Sequence, residues 1–142
     1  MKKLLVLGVL ACYLLPTWAF AQITKDNLIG RWNLVDFNMQ GKKGKLTTQE
    51  QNTITMMRNA LKENPKFMYF VFKADGSFQA QPSTDGSDTT PTWTYSNDIL
   101  TITSGKKKKS EQYKLESLNE GKLTFTALKS KVAIPILTFE KE

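Results

Sequence analysis

Leu28-Ile29-Gly30-Arg31-Trp32-Asn33-Leu34 is the stretch on which the fold turns. Its side chains alternate, with Gly30, Trp32 and Leu34 on one face and Arg31 and Asn33 on the other. That is the period of a half-buried strand. The pattern predicts a strand over 28–37, stopped by the Gly/Lys connection at 40–45. Residues 22–27 form a polar lead-in to it.

Beyond the connection the period changes. Thr47-Thr48-Gln49-Glu50 is a capping box, in which the Thr47 hydroxyl accepts from the Glu50 amide and the Glu50 carboxylate reaches back. Ile54, Met57 and Leu61 follow as one narrow apolar stripe, with Ala60 beside them. The helix ends at Asn64-Pro65, because the residue before proline is pushed out of the α region. It is the one helix expected in 22–142.

From Lys66 onward the period is two. An aromatic strand at 67–74 is apolar on both faces, Phe67, Tyr69 and Val71 opposing Met68, Phe70 and Phe72. Asp75-Gly76 is a hairpin signal, with 77–81 as the partner strand. A Ser/Thr/Asp/Gly loop spans 82–91. Strands at 92–96 and 99–103 flank the Asn97-Asp98 turn. After a second Gly/Lys loop at 104–109, Tyr113, Leu115 and Ser117 alternate with charged or polar neighbours. Asn119-Glu120-Gly121 turns the chain, and Leu123, Phe125 and Ala127 alternate again. The last strand, 132–139, contains Pro135, which cannot donate to a ladder and marks a bulge or an unpaired stretch. About eight short antiparallel strands with local turns predict an all-β, up-and-down barrel, with one helix between the first and second strands. Closure removes the exposed edges that an isolated sheet must guard.

The first 21 residues have the character of a targeting segment. Met1-Lys2-Lys3 is a basic start, 4–15 is almost unbroken apolar chain, and Ala19-Phe20-Ala21 is a small-x-small cleavage pattern. The apolar run is too short to span a bilayer as a helix. Cleavage after Ala21 is expected, leaving one domain at 22–142 that is exported to the periplasm, the cell surface or the medium. Val9-Leu10-Ala11-Cys12 offers a lipoprotein box as the alternative, which would anchor the chain through Cys12.

Composition excludes much chemistry. The chain has no His and a single Cys, which leaves with the leader. Disulfides, thiol nucleophiles, imidazole bases and Cys/His zinc sites are then unavailable to 22–142. Asp85, Asp88, Glu111, Glu116 and Glu120 form no evident acid/base pair, so no enzyme is expected, and no cofactor or metal. The net charge is +7, falling to +5 when Lys2 and Lys3 depart with the leader. On an exported chain that excess suits a solvated surface or an anionic envelope better than nucleic acid.

The segment 28–34, with Gly30-x-Trp32 at its centre, resembles the first strand of the calycins, the lipocalins and fatty-acid-binding proteins. The runs Phe70-Val71-Phe72-Lys73-Ala74-Asp75-Gly76-Ser77-Phe78, Trp93-Thr94-Tyr95 and Asp98-Ile99-Leu100-Thr101-Ile102-Thr103 extend the likeness to small bacterial lipocalin-like domains. A capped helix after the first strand is usual there too. The resemblance implies an indole plugging the narrow end of the barrel, and a ligand inside it. Lipocalins pack an arginine from the last strand over that indole; the tail of this chain offers Lys141 instead.

The candidate interior residues are therefore Trp32, Leu34, Tyr69, Trp93, Tyr95, Tyr113 and Phe125. Trp32 is expected as the plug. Trp93 and Tyr95, two apart on one strand, either line a pocket or fill a small barrel. Ile54, Met57 and Leu61 either form a lid over the mouth or pack permanently on the barrel. Lys106, Lys107, Lys108 and Lys109 are either a solvated turn or a contact with an anionic membrane surface. The expected function is binding of a small apolar or amphipathic ligand. The alternative is a filled barrel whose loops dock a protein partner, as hydrolase inhibitors do.

Overall fold

A computed structural model describes residues 22–82, 89–104 and 108–142. The expected leader with Cys12, the loop residues Asp85 and Asp88, and Lys106 and Lys107 lie outside the described residues. A single helical turn, α1 (Lys25–Leu28), leads into β1 (Gly30–Gln40). A 3-10 turn (Lys42–Gly44) and a long helix, α2 (Thr48–Glu63), follow. The remaining strands are β2 (Tyr69–Phe72), β3 (Phe78–Gln81), β4 (Thr92–Ser96), β5 (Ile99–Ser104), β6 (Lys109–Asn119), β7 (Lys122–Ala127) and β8 (Ile134–Lys141).

All eight strands belong to one antiparallel sheet, in the order β3-β2-β1-β8-β7-β6-β5-β4. Its two edges meet where the Phe78 amide donates to the Pro91 carbonyl and the Trp93 amide to the Gly76 carbonyl, each at 2.9 Å. The sheet is thus a nearly closed barrel with one long helix between β1 and β2, as the hydropathy pattern predicts.

Local chemistry explains where elements stop. Thr47 caps α2 as expected: its hydroxyl accepts from the Glu50 amide at 3.2 Å, and the Glu50 carboxylate accepts from the Thr47 amide at 2.8 Å. Asn97 and Asp98 both adopt positive φ, which joins β4 to β5 by a tight hairpin turn. β2 is shorter than the predicted 67–74, because the Asp75-Gly76 turn begins at Lys73, whose amide donates to Ser77 and whose carbonyl accepts from Gly76. The lead-in is the α1 turn rather than open chain. β1 runs past the expected stop at 37 because β8 pairs with it as far as Gln40↔Ile134.

Two irregularities set which side chains face inward. Between Leu34 and Asp36 the β1–β8 register shifts, leaving Val35 as an extra, exposed residue. The bulge moves the inward face from Trp32 and Leu34 to Phe37, so strict alternation from Gly30 fails beyond Leu34. Pro135 sits in β8 opposite Met39, at a level that β7 does not reach, since β7–β8 pairing stops at Thr126↔Ile136. With one edge of the strand unpartnered, a residue without an N–H is tolerated.

Antiparallel connectivity gives the barrel two distinct ends. At one lie the starts of β1, β3 and β7 and the ends of β2 and β8, and this end is filled. Trp32, Phe72, Trp93, Phe125 and Phe139 are all at most 2% exposed. The rings of Phe72, Trp93, Phe125 and Phe139 interlock with one another and with Phe70 and Phe78, for example Phe70–Phe139 at 4.6 Å and Phe72–Trp93 at 5.0 Å between centroids. The Trp32 indole donates to the Leu28 carbonyl at 2.8 Å, tying the plug to α1. Lys141 covers this plug, its ammonium 5.3 Å from the Trp32 ring centroid. Gly30 is required here: its φ is +128°, and a Cβ on it would stand 3.1 Å from the Lys141 side chain.

Candidate functional site: a cavity at the barrel mouth

The opposite end is hollow. A cavity of about 670 Å³ opens among the start of β6, the ends of β3 and β7, the start of β8 and α2. Phe70 forms its floor, resting on the aromatic plug, and Phe37, Met68, Ala80, Pro135 and Leu137 form apolar walls. Its rim is polar and exposed, with Gln81, Ser110, Glu111, Gln112 and Lys129 facing solvent.

One wall is a helix, for a reason visible in strand lengths. β2 pairs with β1 only over Gly30–Asn33, whereas β1 continues to Gln40. α2 lies along this part of β1, buries Ile54 and Leu61 in the core, and is held by an Arg58–Asp36 ion pair at 2.9 Å. Met57 alone of the stripe reaches the cavity. In this structure the stripe lies against the barrel through Ile54 and Leu61, and Met57 borders the cavity.

Tyr113 is the polar feature of the wall. Its hydroxyl donates to a Glu111 carboxylate oxygen at 2.8 Å. Burial first, and then the Glu111 charge, push the phenol well above its ordinary pKa. The ring stays protonated at any physiological pH, so the pair offers a fixed hydroxyl and a carboxylate at the edge of an apolar space. Such an arrangement can orient a molecule by hydrogen bonding at the edge of the apolar space.

The predicted interior residues divide by end. Tyr113 lines the cavity, and Phe125 is buried beneath it with ring centroids 6.3 Å apart. Trp32 and Leu34 are buried in the plug. Trp93 is also there, filling the barrel, one of the two places open to it from the sequence. The stagger between β3 and β4 draws the start of β4 down to the β2–β3 turn, where the indole donates to the Lys73 carbonyl at 2.9 Å. Lys25 of α1 stands over that ring at 5.1 Å. Tyr95 turns its hydroxyl to Asp98 at 3.0 Å, away from the cavity, and burial followed by this carboxylate pushes its pKa up to about 12. Tyr69 is a correction to the expected interior set. It pairs with Asn33 on the outward face and lies under Arg31, 3.9 Å from its ring centroid. The register Trp32↔Phe70 sends Phe70 inward in its stead.

Phe37, Met68, Phe70, Ala80 and Leu137 were missed as lining residues. The opposition of Met68 and Phe70 to Tyr69 was visible in the sequence, but the choice between the two faces rests on pairing with β1. Lys108 and Lys109 are exposed at the start of β6, on the mouth end.

The profile of the lipocalin-like domain family matches residues 28–125. The chain belongs to that family. No curated protein and no solved structure shows significant similarity to it. In this lipocalin-like domain the matched region runs from the last residue of α1, which accepts the Trp32 indole, to Phe125 beneath the cavity. The match covers β1 to β6 and most of β7, and β8, which brings Pro135 and Leu137 to the cavity, lies beyond it.

Proposed function

We propose that this lipocalin-like protein binds a small apolar or amphipathic molecule in the cavity at the barrel mouth, as a carrier rather than a catalyst. The observation that supports this is the cavity itself. Its volume of about 670 Å³ lies within the range of small-molecule sites, roughly 300–1,000 Å³. The apolar part of the ligand rests on Phe70, Leu137 and Met57, and its polar end meets Tyr113, Glu111 and Lys129 at the rim. We also place the protein outside the cytoplasm, on the strength of the basic start, the apolar run at 4–15 and Ala19-Phe20-Ala21. N-terminal sequencing of the exported protein should begin at Gln22; a start at Cys12 with acyl mass would replace secretion by anchoring.

Binding is tested by filling the space. Ala80 pairs with Phe70 across β2–β3 and faces the cavity. Ala80→Trp should abolish binding of a neutral apolar fluorophore such as N-phenyl-1-naphthylamine, while far-ultraviolet circular dichroism stays native. Undiminished fluorophore binding by this folded variant would remove the cavity from the reading. Native mass spectrometry of protein taken from its own host should then identify the retained ligand.

A further inference from the structure

We propose that the mouth end docks on an anionic lipid bilayer, with the β7–β8 turn as the inserted contact. This goes beyond cavity binding and does not depend on it. The turn is internally braced: the Ser130 hydroxyl donates to the Ala133 carbonyl at 2.7 Å and accepts from the Val132 amide at 3.3 Å, above a fully buried Ala133. That bracing holds Val132 61% exposed and Leu128 43% exposed. Only Val35 and Met56 are comparable large apolar side chains among the described residues, and they lie on β1 and α2. Two of four thus sit in one short turn at the mouth.

Lysines surround this turn. Lys129 and Lys131 lie between the apolar pair in the chain. The Lys42 ammonium donates to the Lys131 carbonyl at 2.6 Å, which brings the 3-10 turn, with Lys43 and Lys45 beside it, against the same edge. The pairing Tyr113↔Ala127 sets the start of β6, with Lys108 and Lys109, beside the end of β7. Among the described residues, none of these lysines is ion-paired; the ion pairs engage Arg31, Arg58, Lys66 and Lys114 instead. Glu111, on the same rim, is engaged by Tyr113.

Two isolated apolar side chains within a lysine field suit a bilayer surface better than a protein partner. The centre of a protein interface is depleted of charge and needs a wider apolar area. An anionic leaflet attracts each lysine near it, and its acyl boundary receives the aliphatic tips. Docked this way, the cavity faces the membrane, and an apolar molecule passes between them with little exposure to water.

The test is vesicle flotation of the protein purified from its own host. Vesicles containing about 30% phosphatidylglycerol should bind it, and pure phosphatidylcholine vesicles should not. Raising salt from about 0.05 to about 0.5 M should release it. Lys129→Gln with Lys131→Gln should weaken binding about tenfold or more. Lys73→Gln with Lys122→Gln removes equal charge from the closed end and should leave binding unchanged. Val132→Asp should weaken binding with all lysines intact. Equal loss in the two double variants would reduce the effect to net charge and overturn the docking face. Equal binding to both vesicle types, or full binding by folded Val132→Asp, would overturn it as well. Fluorophore binding, measured without vesicles, stands or falls separately.

Discussion

Trp32 and Trp93 have the same burial and the same polar solution, each indole donating to a backbone carbonyl inside the plug. The sequence marks Trp32 as the plug and leaves Trp93 open between lining a pocket and filling the barrel. The contacts of Trp93 with Phe72, Lys73 and Lys25 make it a second plug residue. Trp32→Ala and Trp93→Ala should each cost roughly 3–5 kcal/mol, the range for deleting a large packed aromatic. Urea melts of the two variants check this. A Trp93→Ala cost well below that of Trp32→Ala would mean that Trp93 borders open space after all. At this scale the sequence placed Tyr69 among the interior candidates because both faces of β2 are apolar, and the register with β1 turns it outward. Arg31 resolves the ambiguity in the fold by covering the outward Tyr69 ring, while Glu142 binds the same guanidinium at 2.7 Å.

The helix and the turns were the most legible elements. A capping box and an Asn-Pro stop act over four residues or fewer, so the sequence carries their full geometry. Thr47→Ala should therefore cost on the order of 1 kcal/mol, read as a shift in a urea melt. No shift beyond error would mean that packing of Ile54 and Leu61, rather than the cap, fixes the start of α2. The role of the helix was less legible. Its stripe is compatible with a lid or with a wall, and its place against β1 depends on β2 being too short to cover that strand. That gap exists because the chain leaves α2 at Asn64 and joins the sheet only at Tyr69, opposite Asn33, so no β2 residue is left to pair with β1 beyond it.

The whole molecule is asymmetric along the barrel axis, dense at the end with the two tryptophans and hollow at the mouth. Local stability follows contact density, so hydrogen exchange should vary along the same axis. Amides of Trp32, Leu34, Phe72 and Phe139 should exchange with the slowest, global rate. Those of Gln112, Leu128 and Val132, at the rim, should exchange sooner, and a bound ligand should slow them. Uniform protection from end to end would mean that the barrel is equally packed throughout. Among the described residues, Lys42, Lys43, Lys45, Lys108, Lys109, Lys129 and Lys131 at the hollow end form no ion pair, and Lys25, Lys73, Lys122 and Lys141 stand likewise at the closed end. By itself, the sequence determined the strand count, the capped helix, the tight turns and the chemistry excluded by the absence of histidine. Each of these is set by neighbours a few residues apart, or by composition alone. The tertiary structure alone decided which aromatics fill the barrel, which border its cavity, and which lysines share a face with Leu128 and Val132. Those outcomes depend on the β1 bulge and on strand register, which arise from pairings between residues far apart in the chain.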